Sequence, residues 1–192
     1  MSKSIKGTET EKNLLKAFAG ESQARNRYTY FAGAARKAGY EQIAAIFLET
    51  AENEKEHAKV FFKHLEGGDL EITAAYPAGV IGDTKANLEA AAAGERMEWS
   101  DLYASFERTA RAEGFPEVAA SFKEISDVER FHEKRYRKLA ANIETGQVFK
   151  RPAPVKWHCI NCGYIHEGPE APAMCPACKH PRAYYEILAE NY

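Results

Sequence analysis

The sequence predicts an all-α four-helix bundle followed by a small C-terminal domain stapled by a metal ion. Three observations carry that prediction. Four stretches of helix-favouring composition, each with apolar residues at spacings of three and four, lie within residues 10–146. A carboxylate–imidazole pair, Glu54-Lys55-Glu56-His57, recurs as Glu129-Arg130-Phe131-His132. All four cysteines fall between Cys159 and Cys178.

The first helix is expected over 10–37, where Ala, Glu, Lys, Arg and Gln dominate and Gly39 supplies a stop. Its stripe is Leu14, Leu15, Phe18, Glu21, Arg25 and Tyr28, an apolar face with a carboxylate in it. The second is expected over 40–66, before Gly67-Gly68, with the stripe Ile43, Phe47, Thr50, Glu54, His57 and Phe61. Residues 68–82 carry Gly, Pro77 and no helical period, and read as an extended connection. Asp83-Thr84 offers an N-cap for a third helix running to Glu113, before Gly114. Pro116 suits the first turn of a fourth, which continues to Glu144, with Gly146 beyond. Short links join helices 1 to 2 and 3 to 4, and one long crossover joins 2 to 3. That is the ferritin-like arrangement.

The two halves also repeat one another. Ala19-Gly20-Glu21 parallels Ala93-Gly94-Glu95 at an offset of 74. Gly39-Tyr40 parallels Gly114-Phe115, and Glu54/His57 parallels Glu129/His132, at an offset of 75. The slip of one residue falls inside a helix, where no loop absorbs it. It predicts a π-bulge in helix 3 between Glu95 and Gly114.

Composition narrows the function. Of 192 residues, 45% are hydrophobic, enough for a packed core, and the net charge of −2 gives no basic footprint for nucleic acid or an anionic membrane. No apolar run approaches the ~18 residues of a membrane span, and the first residues lack the apolar core of a secretory signal. A cytoplasmic protein with neither nucleic-acid nor membrane partners is the expectation.

Glu21, Glu54, Glu95 and Glu129 each stand near the middle of a helix, so antiparallel packing brings them to one level. Within each Glu-x-x-His, residues three apart share a helix face, about 5–6 Å apart at Cβ. Four buried carboxylates need counter-charge. Two divalent cations supply it: four carboxylates and two neutral imidazoles, His57 and His132, total −4. Glu98, three residues after Glu95, breaks the symmetry, since its counterpart in helix 1 is Ala24. A fifth carboxylate favours ions of higher charge. Tyr28 and Tyr103 match at the offset of 75 and read either as hydrogen-bonding partners of ligand carboxylates or as core tyrosines. His64, His158, His166 and His180 have no pairing that argues for ligation.

After a Pro-bearing linker at 147–156, residues 157–192 are too few to fold on apolar burial alone. Cys159-x-x-Cys162 and Cys175-x-x-Cys178, twelve residues apart, make a tetrahedral four-thiolate site suited to a single iron or to zinc. Trp157, Tyr164, Tyr184 and Tyr185 supply a small aromatic core.

Over essentially its whole length the chain resembles rubrerythrin, a ferritin-like bundle (1–146) followed by a rubredoxin-like domain (157–192). The match is carried by Ala19-Gly20-Glu21-Ser22-Gln23-Ala24-Arg25, Glu54-Lys55-Glu56-His57, Gly94-Glu95-x-x-Glu98, Glu129-Arg130-Phe131-His132 and the two Cys-x-x-Cys knuckles. The resemblance implies a non-haem di-iron peroxidase that reduces hydrogen peroxide to water and protects against oxidative stress. It implies bridging by Glu54 and Glu129, terminal ligation by Glu21, Glu95 and His132, and an iron that exchanges His57 for Glu98 on oxidation. It also implies one iron on the four cysteines, electrons from a rubredoxin or an NAD(P)H-dependent reductase, and a homodimer or higher oligomer. Zinc is the alternative occupant of either site. Arg96, Met97 and Trp99 depart locally from the family pattern around Glu98. Two rival readings remain open in the residues: an iron-storage ferroxidase, which leaves the cysteine tail unexplained, and a zinc-ribbon adaptor on a structural bundle, which would be colourless.

Overall fold

The computed structural model describes residues 3–191. Helices α1 (Glu9–Lys37), α2 (Glu41–Lys63), α3 (Thr84–Met97), α4 (Tyr103–Ala112) and α5 (Pro116–Glu144) are followed by strands β1 (Lys150–Cys159), β2 (Ile165–Glu170) and β3 (Tyr185–Ile187). A five-residue π-helical turn, Glu98–Leu102, joins α3 to α4 without a break, so the three form one long third helix of the bundle. The one-residue slip between the halves is absorbed here, at the expected place.

Local chemistry sets the ends. Thr8 caps α1 by accepting from the Glu11 amide, and Glu11 reaches back to the Gly7 amide. Asp83 caps α3 through the Ala86 amide, and Pro116 opens α5. Helix α2 stops at Lys63, three residues before the expected Glu66. Its last turn tightens, with the His64 and Leu65 amides bonding back to Phe61 and Phe62, before two glycines of positive φ.

The internal duplication is visible in the backbone. Gly39 and Gly114 sit at φ +83 and +82, and the Tyr40 and Phe115 amides close the same six-residue ring onto the Ala35 and Ala110 carbonyls. Tyr40 and Phe115 then share nearly identical dihedrals as each leads into its next helix. The core splits likewise into two apolar halves that exchange under the pseudo-two-fold. One holds Tyr28, Phe31, Ile43, Phe47, Leu88 and Tyr136, the other Tyr103, Val118, Phe122, Leu14 and Phe61, with Phe106 packed against it. The mid-helix glutamates lie between them.

The C-terminal sheet is antiparallel, in the order β2-β1-β3. The stretch 147–156, expected as a linker, is extended, and β1 begins inside it at Lys150. A register irregularity between Lys150 and Val155 accommodates Pro152 and Pro154, which lack an amide to donate. Trp157 and Tyr185 are fully buried, and the indole donates to the Gly168 carbonyl at 3.0 Å. The domain seats on the α1–α2 corner, where Phe149 stacks on Tyr40 with ring centroids 5.9 Å apart. No described helix is long and apolar enough to cross a membrane.

A Cβ at residue 114 would meet nothing closer than the flexible Lys3 amine at 3.9 Å, so the demand there is conformational. Gly114→Ala is expected to destabilise the bundle by about 1–2 kcal/mol in urea denaturation, the cost of placing an L-residue in the left-handed region.

Candidate metal centres

Six of the seven side chains singled out in the bundle converge. Glu21, Glu54, Glu95 and Glu129 are 0–1% exposed in a single layer. Two groups share that layer: Glu21, Glu54, His57 and Glu129, and Glu54, Glu95, Glu129 and His132. Within each group, potential ligand atoms all lie within 4.8 Å of one another. Glu54 and Glu129 belong to both. His57 Nδ1 lies 2.9 Å from Glu54 Oε2 and 2.8 Å from Glu129 Oε1. His132 Nδ1 lies 3.2 Å from Glu54 Oε1 and 2.8 Å from Glu129 Oε2. Each shared carboxylate thus presents one oxygen to each side, which is the geometry of a bridging ligand.

The residues fit two cations for a further reason. Glu21 Oε2, Glu54 Oε1, Glu95 Oε2, both Glu129 oxygens and His132 Nδ1 are buried without a hydrogen-bond partner among the described residues. Atoms this close that still lack hydrogen-bond geometry point at a common centre rather than at one another. A layer of orphaned oxygens is costly unless a cation takes their lone pairs.

The two tyrosines are core residues that also hydrogen-bond the layer, and they do so crosswise. Tyr28 on α1 donates to Glu95 Oε1 at 2.5 Å, and Tyr103 on the third helix donates to Glu21 Oε1. Each phenol holds one carboxylate oxygen of the other hairpin and leaves the second free.

The layer's electrostatics follow from its crowding. Burial first, and then the neighbouring carboxylates, push Glu21, Glu95 and Glu98 well above the ordinary carboxylate range. Burial also works against ionised Glu54, but the imidazoles of His132 and His57 outweigh it and hold that group near 2. Burial alone would lower the histidines; their contacts with Glu129 and Glu54 win and raise His57 to about 10 and His132 to about 12. A cation entering the layer therefore displaces protons.

Glu98 is the seventh. The residue is buried but lies outside both ligand groups, at the first position of the π turn. Sequence reasoning missed what stands beside it. The crossover passes close by, so that Thr73 to Pro77 wall a cavity that Glu98 also lines. The only signal was a connection longer than a helix hairpin needs.

In the tail, Cys159, Cys162, Cys175 and Cys178 come together, with sulfurs 3.8 Å apart for Cys159–Cys178 and 3.7 Å for Cys162–Cys175. The knuckles match: the Cys159 amide bonds to the Tyr164 carbonyl and the Cys175 amide to the His180 carbonyl. The His180 amide leads the effects that hold the Cys178 thiol down to about 6, favouring the thiolate a metal needs. His158, His166 and His180 are not among the clustered ligand atoms.

A family model described as rubrerythrin matches residues 12–140, and one described as the rubrerythrin rubredoxin-like domain matches 157–186. The chain belongs to the rubrerythrin family. The rubrerythrin of Porphyromonas gingivalis is 61% identical over 192 residues, covering 100% of this chain and 96% of that protein. The rubrerythrin of Nitratidesulfovibrio vulgaris is 60% identical over 190 residues, covering 99% and 100%. Among solved structures, fully reduced, all-ferrous nigerythrin superimposes with a TM-score of 0.63 at 35% identity, covering 97% of this chain and 90% of that one. The chain therefore pairs a ferritin-like bundle carrying a di-iron-type carboxylate site with a rubredoxin-like four-cysteine site.

Two outcomes follow. Glu54→Ala or Glu129→Ala should drop bundle metal from two ions toward none in elemental analysis, whereas Glu21→Ala should retain about one. The second concerns pH. Glu21, Glu95, His57 and His132 all have raised values, so what they contribute to the chelator-stripped bundle is present at low pH and lost as pH rises through the raised values. Glu54, held down, contributes above its ordinary value and loses only toward pH 2. Thermal unfolding of stripped protein should therefore show stability falling from pH 6.5 toward 10, while metal-loaded protein gains over the lower part of that range as protons cease to compete.

Proposed function

We propose that this protein is a cytoplasmic peroxidase that reduces hydrogen peroxide to water, with two iron ions in the bundle and one on the four cysteines. The observation that carries the reading is the conjunction, on one chain, of two buried groups of candidate ligand atoms that share Glu54 and Glu129 with a cluster of four cysteine sulfurs suited to a one-electron metal centre. When bound and reduced, the iron pair supplies the two electrons that cleave one O–O bond.

The chain's own residues prepare that step. Glu54 and Glu129 would be shared by the two ions and Glu21 and Glu95 would complete their sides, while Tyr103 and Tyr28 fix those two carboxylates in rotation. Glu98, kept neutral by burial and by the carboxylates around it, carries a proton at its carboxyl beside the cavity and can release it to a departing oxygen. Once ionised, the same side chain adds a fifth negative charge to the layer, which favours the oxidised ions. An exchange of Glu98 for His57 at one ion is supported by their places, His57 inside its ligand group and Glu98 just outside.

Electron delivery is assigned to the four-cysteine site, filled in turn by a rubredoxin or an NAD(P)H-dependent reductase. Within one chain that site is remote. Tyr40, where the small domain seats, precedes Glu54 by fourteen residues, about 21 Å of helix. This separation supports delivery from the small domain of a neighbouring subunit in a homodimer.

Glu98→Ala is expected to keep most bundle iron yet slow peroxide turnover at least tenfold; wild-type rates would sink its proposed role. Cys159→Ser should leave the reaction of peroxide with pre-reduced bundle iron intact while stopping reductase-driven cycling. Visible absorption with metal analysis tests the premise, since a ferric four-thiolate centre is red and a zinc one colourless.

A further inference from the structure

The cavity beside Glu98 has a volume of 380 Å³, roughly ten times what a molecule the size of hydrogen peroxide requires. Its walls are mostly apolar. Ala17, Met97, Leu102 and Phe106 form the bundle side, and Ala75 and Pro77 of the crossover form the outer side. The outer wall is anchored, with the Tyr76 hydroxyl donating to the Lys16 carbonyl at 2.8 Å. The volume is kept open by small residues. A Cβ at Gly20 would come within 3.6 Å of the Tyr76 ring and 4.0 Å of Glu98 Oε1. At its inner end the cavity meets Glu98 and Tyr103, whose hydroxyl is bonded to Glu21 of the ligand layer. A chamber built only for peroxide would need neither the volume nor the hydrocarbon lining.

We propose that this cavity binds the hydrocarbon chain of primary alkyl hydroperoxides, making them a second substrate class of the same centre. The proposal rests on the peroxidase reading above. The chain lies along Leu102 and Phe106 under the crossover, with the hydroperoxide directed past Glu98 toward the ligand layer. An iron pair held in that layer would, when reduced, supply the two electrons that break the O–O bond. Two protons are taken up, and ROOH leaves as ROH and water. The net change, ROOH + 2 e⁻ + 2 H⁺ → ROH + H₂O, has the same electron demand as reduction of hydrogen peroxide.

The test is a chain-length series on the iron-loaded, full-length protein. KM is measured for hydrogen peroxide and for ethyl, butyl and hexyl hydroperoxide, with the alcohol product quantified. In parallel, dissociation constants of ethanol, butan-1-ol and hexan-1-ol are taken by calorimetric titration, a readout independent of turnover. Burial of each methylene predicts about a fourfold fall per carbon in both KM and dissociation constant. Ala75→Phe, which fills the cavity from the exposed crossover, should raise the hexyl KM at least tenfold relative to that for hydrogen peroxide, and weaken hexan-1-ol similarly. A flat series in both measurements overturns the proposal. So does turnover of hydrogen peroxide without turnover of hexyl hydroperoxide, or a slope that survives Ala75→Phe. Failure of hydrogen peroxide itself to reoxidise the reduced protein overturns the peroxidase reading and this substrate class together, and the alcohol titration then reports separately on whether the cavity binds hydrocarbon.

Discussion

Four carboxylates buried in one layer at the centre of a bundle are a constraint that the rest of the molecule answers. Ionised and unpartnered, they would repel one another with little solvent to screen them, and among the described residues their ion-pair partners are His57 and His132. Two histidines and two phenols stand around the layer instead, and the remaining lone pairs point at two shared centres. The apolar core is divided to suit, with an aromatic half above and another below. Whatever fills those centres therefore also bears on the stability of the bundle.

The π turn is the second structural decision. One extra residue in a helix rotates everything after it by about 100° relative to what precedes it. Within the third helix this lets Glu95 keep the place equivalent to Glu21, and Tyr103 the place equivalent to Tyr28, while Glu98 is carried on a turn that neither half of a regular repeat would contain. The same turn carries Trp99, whose indole donates to Glu133 at 2.6 Å under the guanidinium of Arg130. Glu133 in turn accepts from Arg137 at 2.6 Å. The irregular backbone is thus held from α5, directly beside His132.

Much of this was legible in the residues because helices obey a fixed period. The midpoints of the four stripes place Glu21, Glu54, Glu95 and Glu129 at one level, and a slip of one between two offsets locates the π turn between Glu95 and Gly114. The four-cysteine spacing is similarly direct. What the sequence left open depends on contacts between distant segments. Periodicity puts Tyr28 on an inner face but does not say that its hydroxyl crosses to Glu95, 67 residues away. The path of the crossover over Glu98 has no period to reveal it. Pro152 and Pro154 argue for a linker by composition, yet β1 runs through them because its partners β2 and β3 lie further on in the chain. The early end of α2 reflects a local tightening that the two following glycines do not specify.

The repeated Gly39-Tyr40 and Gly114-Phe115 corners have a consequence for how such a centre can change. In an assembly of two separate identical hairpins, every substitution arrives in duplicate, on both sides of the metal pair. Joining the hairpins through the 68–82 crossover halves that dose. A carboxylate can then appear at residue 98 while residue 24 stays alanine, and the two candidate ion sites, built on equivalent scaffolds, are free to differ in what surrounds them.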